Sequence, residues 1–136
     1  MAVIGEIIRR EDDGSISFGD YLSEEKKKVT GYEVDGDLYS VKTHQEVTRL
    51  ERNGKLLLET VPGSVVHGFL ITESKVRFAL EGTDDTRVTL ELAPDELYRV
   101  LIEETNIGNV RSNVSGKVVF SLDLDGAPKS IEIIGS

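Results

Sequence analysis

Apolar and polar residues alternate along most of this chain. Ile16 and Phe18 fall on one side of an extended segment, with Ser15, Ser17 and Gly19 on the other. The same period of two runs through Val76, Phe78 and Leu80, through Val88, Leu90 and Leu92, and through Val118, Phe120, Leu122 and Leu124. Successive side chains of a strand point to opposite faces, so this spacing predicts strands with one buried face. Turn dipeptides separate the runs: Asp13-Gly14, Asp35-Gly36, Asn53-Gly54, Pro62-Gly63, Glu81-Gly82, Ser115-Gly116 and Asp125-Gly126. Asp-Gly and Asn-Gly take positive φ at low cost, which suits the type I′ turn between antiparallel strands. The runs Leu56-Leu57-Leu58 and Val65-Val66-His67-Gly68-Phe69-Leu70-Ile71 are apolar without alternation. Strands covered on both faces read this way, so both are expected in the middle of the core.

One segment fits two templates. Pro94-Asp95-Glu96-Leu97 has the form of a helix start, and Leu97, Val100, Leu101 and Glu104 continue at helical spacing. Tyr98, Val100 and Ile102 also alternate with Arg99 and Glu103, and the segment reads as a strand entered through a short turn. The resulting expectation is an all-β fold, an antiparallel β-sandwich of roughly ten to twelve short strands. A chain of 136 residues holds one such core, so residues 1–136 are expected to form a single domain. Pro62-Gly63 divides it into N-terminal hairpins (1–62) and a second β half (63–136).

Composition narrows the function classes. Charged residues make up 30% of the chain and the apolar set 38%, as in soluble globular proteins. The net charge is −9, with 13 acids against 9 bases in residues 1–62 and 12 against 7 in the rest. Affinity for nucleic acid rests on neutralising phosphates, so neither nucleic acid nor an anionic membrane is an expected partner. No apolar run approaches the roughly 20 residues of a spanning helix. The opening MAVIGEIIRR carries its positive charge after the apolar stretch, the reverse of a secretory signal, and a cytoplasmic location is expected. The absence of cysteine excludes disulfides, thiolate zinc sites and a thiol nucleophile.

Candidate chemistry is sparse. His44 and His67 are the two histidines, and no i, i+4 pair or third ligand at short spacing joins them, so no metal is expected. The acidic pairs Asp12-Asp13, Asp35-Gly36-Asp37, Asp84-Asp85 and Asp123-Leu124-Asp125 lack the series of ligands of a calcium loop and read as turn residues. Pro62-Gly63-Ser64-Val65-Val66 lacks the second glycine of a nucleophile elbow, and His67 stands only three residues after Ser64. No phosphate-binding glycine loop appears, and no cofactor is expected. The sequon Asn113-Val114-Ser115 reads as a turn. No residue is assigned a catalytic role. Tyr32 and Tyr39 flank the Asp35-Gly36 turn at positions that pair across a hairpin.

Ile16-Ser17-Phe18-Gly19-Asp20-Tyr21, Gly36-Asp37-Leu38-Tyr39-Ser40-Val41-Lys42-Thr43 and Glu59-Thr60-Val61-Pro62-Gly63, in that order, resemble a group of small bacterial proteins that commonly carry the label endosialidase. The label implies sialidase chemistry, with an arginine cluster, a tyrosine nucleophile and Asp boxes on a propeller. Asp12-Asp13-Gly14-Ser15-Ile16-Ser17-Phe18 echoes only the end of an Asp box, without its leading serine and tryptophan. A propeller needs at least about four blades, more than this length supplies, so no residue role carries over. Tyr98-x-Val100-x-Ile102, Ile107-Gly108-Asn109-Val110, Ser112-Asn113-Val114-Ser115-Gly116 and Val118-x-Phe120-Ser121 resemble the closing strands of immunoglobulin-like accessory domains, often appended to glycan-processing enzymes.

The expected function is a non-catalytic interaction or assembly module with a protein or glycan partner. Ile4, Ile7 and Ile8 make the segment Val3–Ile8 apolar on both faces, and at a sheet edge it would pair with another copy, giving a homo-oligomer. A carbohydrate-binding module is the first alternative and needs Tyr21, Tyr32 or Tyr39 on an open sheet face. A small carboxylate-dependent glycoside hydrolase, with His44 as partner to an acid, is the second.

Overall fold

The computed structural model describes residues 3–72 and 75–135, with side chains from Ile7 onward. The strands are β1 (Val3–Arg10), β2 (Ile16–Asp20), β3 (Lys27–Val34), β4 (Asp37–His44), β5 (Val47–Arg52), β6 (Lys55–Val61), β7 (Val65–Ile71), β8 (Lys75–Glu81), β9 (Thr86–Glu91), β10 (Leu97–Ile102), β11 (Thr105–Arg111), β12 (Lys117–Leu122) and β13 (Lys129–Gly135). They form two antiparallel sheets packed face to face. One has seven strands in the order β1-β2-β7-β8-β13-β10-β11, and the other six in the order β12-β9-β6-β5-β4-β3. The all-β sandwich is therefore as expected, with thirteen strands among the described residues instead of ten to twelve. Both sheets draw strands from both sides of Pro62-Gly63, so that turn does not separate two units.

The alternating runs form the interior. Phe18, Val66, Phe78, Leu80, Ile131 and Ile133 face it from the seven-stranded sheet, and Val41, Leu50, Leu58, Val88, Leu90 and Val118 from the other. Phe69 lies between Phe18 and Phe78, at ring-centroid distances of 6.2 and 5.8 Å. Leu57 and Leu58 are both buried because a bulge in the β5–β6 ladder sets Leu50 opposite Leu58 and Glu51 opposite Leu56. Pro94-Asp95-Glu96 is a turn and Leu97–Ile102 a strand, so the extended reading of that segment holds.

Two local features differ from simple alternation. Ser17, on the outward face of β2, and Ser15, just before that strand, are as buried as the core, because the preceding turn folds back over them. Asp13 Oδ1 accepts the Ser15 N–H at 2.9 Å, and the Glu11 carboxylate accepts the Ser17 hydroxyl. The hairpin between β10 and β11 turns on Glu103-Glu104, both at positive φ (51° and 66°), without glycine. Neighbouring β13 holds it: Glu103 N–H donates to the Ser130 carbonyl at 2.9 Å, and its carboxylate accepts the Ser130 hydroxyl at 2.9 Å.

Candidate functional site

At one end of the sandwich a set of hydroxyls joins the sheets. Thr43 pairs with Thr48 across β4–β5, and Thr48 with Thr60 across β5–β6. Threonine suits this row, being β-branched for the strand and able to hydrogen-bond inside it. All three are fully buried, with Ser64. Thr48 Oγ1 donates to the Ser64 carbonyl at 2.8 Å and accepts the Ser64 N–H at 3.0 Å. Its one proton is thus committed, so the 2.8 Å contact with Thr43 runs from the Thr43 hydroxyl to Thr48. Thr43 Oγ1 in turn accepts the Asp20 N–H at 2.9 Å, and Thr60 and Ser64 hydroxyls lie 2.7 Å apart. Gly19, at φ +110°, lets the chains approach here: a Cβ on it would run into the Ser64 carbonyl oxygen. The set is closed on itself. Ser64 is a joint between sheets and offers no nucleophile.

The outward face beside this joint carries the chain's most organised titratable group. Glu81, at the end of β8, is buried, and its carboxylate accepts the Tyr21 hydroxyl at 3.4 Å and His67 Nε2 at 3.1 Å. A carboxylate accepts, so His67 Nε2 is the donor of that contact. The Tyr21 ring packs on Val65. Burial pushes its phenol above the ordinary 10.0, and the Glu81 charge and hydrogen bond add to the shift. The His67 side chain keeps 29% of its surface exposed, so the pair has access to solvent. A cleft of about 270 Å³ adjoins, walled by Tyr21, Gln45, Pro62 and Asp84. A larger hollow, about 550 Å³, opens at the opposite end of the sandwich over Leu57, Val76 and Ile133, with Arg52, Glu91 and Glu96 among its lining residues.

The other residues singled out by sequence are placed as follows. His44 is buried beside the threonine row and pairs with no carboxylate among the described residues, where the histidine with an acid partner is His67 and the pairing expected for His44 is not seen. Tyr21 and Tyr39 are each only 8% exposed. Tyr32 stands opposite Tyr39, packs against the core, and its hydroxyl accepts the Arg10 N–H at 3.1 Å. None of the three presents an open ring face. Asp13 caps its own turn, Asp35 pairs with Arg10 at 3.5 Å, and Asp37 accepts from Asn53 at 3.0 Å. Asp85 and Asp123 share a hydrogen bond, which raises the Asp85 carboxyl above its ordinary value. No group of three or more metal-ligating side chains gathers among the described residues.

The chain matches no family model, no curated protein and no solved structure.

Two features escape a linear reading. Lys28, Lys42 and Arg49 are successive cross-strand neighbours on β3, β4 and β5, a cationic row on an acidic protein, with Arg49 ending near Glu51 and Glu59. The second is the unequal treatment of the sheet edges. β1, β3 and β11 each pair with one strand only, and each ladder carries a register shift. Such bulges twist an edge away from further pairing. In β1 the shift lies between Val3 and Ile8, and Ile7 and Ile8 are both buried in the chain's own core. The side chain of Ile4 lies outside the described residues. The fourth edge, β12, pairs with β9 over six consecutive residues without a break, from Lys117↔Glu91 to Leu122↔Thr86.

The hydrogen bonds at the start of β12 fix which of its backbone groups face outward. Leu92 N–H donates to the Gly116 carbonyl at 2.7 Å, so the even-numbered positions bond to β9. Lys117 N–H and C=O bond instead to Asn113, at 2.9 and 3.1 Å. The outward groups of Lys117 are thus taken, and the Asp123 carbonyl accepts Lys129 Nζ. Between them, the N–H and C=O of Val119 and Ser121 face outward with no hydrogen-bond partner among the described residues.

Proposed function

We propose that this protein is a non-catalytic interaction module that takes an extended protein segment against the free edge of β12. The observation that carries the reading is the regular, unbulged edge at Val119 and Ser121, with four unpaired backbone groups. Backbone pairing of an added strand supplies affinity, and the alternate side chains beside it supply selectivity. Val119, 45% exposed, offers an apolar contact on the outer face. The test is an array of seven-residue peptides rich in valine, isoleucine and threonine, probed with the intact chain. Binding is expected, and Val119→Pro, which deletes an N–H that β9 does not use, is expected to weaken it roughly 5-fold, as one hydrogen bond goes. An array in which no peptide binds, or binding indifferent to Val119→Pro, sinks the reading.

A second reading, a small hydrolase, draws on Glu81 and His67, an acid-positioned imidazole with solvent access. Turnover of glycoside or ester substrates that is lost in both Glu81→Gln and His67→Gln would support it. A broad substrate screen without turnover removes it.

A further inference from the structure

The geometry points to a second copy of this chain as the occupant of that edge, paired antiparallel so that Val119 of each copy stands opposite Ser121 of the other. The inference rests on the open-edge reading above and names its partner.

Three registers bring the free groups of two β12 strands together while keeping apolar side chains on one face, because opposite residues of an antiparallel pair share a face. Setting Val119 opposite Val119 uses half of the free groups and pushes Ser121 against Lys117, whose backbone already bonds to Asn113. Setting Ser121 opposite Ser121 pushes Val119 against Asp123, whose carbonyl is taken by Lys129. Setting Val119 opposite Ser121 uses all four groups of each chain, with Phe120 facing its own copy at the two-fold axis. Phe120 is a core-side residue that keeps 8% of its surface exposed at this edge, which the second copy would cover.

The same register brings opposite charges together. It sets Lys117 opposite Asp123 of the second copy, and symmetry makes two such pairs. Asp123 stands beside Asp85 with Lys129 already facing them, and an arriving Lys117 adds a second cation to two acids. For a chain of net charge −9, a cation aimed at an acid pair is a specific local attraction. Pairing this way closes the edge and leaves no further copy to add, as an isologous contact requires.

Sedimentation equilibrium of the intact chain is expected to give twice the 15.0 kDa of one copy. Val119→Pro is expected to weaken association roughly 30-fold, since two symmetric bonds go, while the unfolding midpoint stays the same at concentrations low enough to keep both proteins monomeric. Lys117→Asp and Asp123→Lys should each dissociate the dimer, and the two together should restore it. Oxidising an equimolar mixture of Val119→Cys and Ser121→Cys chains should give the mixed disulfide in preference to either homodimer. A mass of one chain at every concentration overturns the inference. So does a dimer that Val119→Pro leaves intact, or cross-linking without preference for the mixed pair. If the chain stays monomeric yet binds the peptide array with the sensitivity described above, the open-edge reading stands and only the second copy falls. If neither partner binds, both fall.

Discussion

Thr48 and Ser64 exchange two hydrogen bonds through a single hydroxyl, and in doing so clasp β5 of one sheet to the segment entering β7 of the other. Replacing Thr48 by valine keeps the shape and removes the oxygen. Ser64 N–H and C=O then lose their partner, and the Thr43 hydroxyl loses the acceptor of its proton while still accepting from Asp20, in a dry interior. The expected loss is about 3 kcal/mol in chemical denaturation, against about 1 kcal/mol for Thr48→Ser, which keeps the oxygen. Equal losses for the two substitutions would show that packing, and not the shared hydroxyl, holds the sheets here.

Gly19 and Gly14 separate two costs that glycines carry. Both have positive φ, at 110° and 86°, but a Cβ at Gly14 meets nothing within 4 Å. Gly14→Ala is expected to cost about 1 kcal/mol, the backbone strain alone. Gly19→Ala must also displace the carbonyl that accepts from Thr48, and should cost at least about 3 kcal/mol or abolish folding. Thermal unfolding of the two variants decides it, and similar midpoints would contradict the close approach.

Tyr21 gives the alkaline behaviour a sign. Its folded-state phenol titrates above the 10.0 of an unfolded chain, so the folded state holds the proton more tightly. Its contribution is fully present below pH 10 and is lost as pH rises from there through the folded value. Ultraviolet titration of the phenols should show one late component that Tyr21→Phe removes. Glu81→Gln should bring that component down, though still above 10, because burial is the larger cause. A component unmoved by Glu81→Gln would mean that the acid does not face the phenol.

Ile8 tests what the first strand is for. It is 2% exposed within the chain's own core. Ile8→Ala should lower stability by about 3 kcal/mol at unchanged mass in solution. A change of association with little change in stability would return the assembly seam to β1.

Much of this architecture was legible in local sequence, and the illegible part has one cause. Asp35-Gly36 and Asn53-Gly54 take positive φ at both positions (51° and 87°, 52° and 82°), as the type I′ hairpin demands, and period two put Phe78, Leu80, Val88 and Leu90 on the inside. Alternation fixes a residue's face but not its neighbouring strand. β2 lies beside β7, so Ser17 meets Gly68, and Tyr21 meets an acid sixty positions away. His67 could be marked from sequence as a residue of interest. Glu81 could not be chosen from 25 acids until the β7–β8 register was known. The open edge is further removed still, since it depends on where Asn113 and Lys129 spend their hydrogen bonds.

The sharing of both sheets by both sides of Pro62-Gly63 sets an order on synthesis. As the chain leaves the ribosome, β3 to β6 form a meander of neighbouring hairpins that assembles from nearby residues. The hairpin β1–β2 emerges before them, yet the strand it docks against, β7, ends at Ile71. Phe18 therefore remains exposed while about fifty more residues are made, and the strand that completes the interior of its sheet, β13, is the last of the thirteen described strands to appear. Chaperone contact in the cell should concentrate on residues 7–18 of nascent chains and vanish once β13 has emerged.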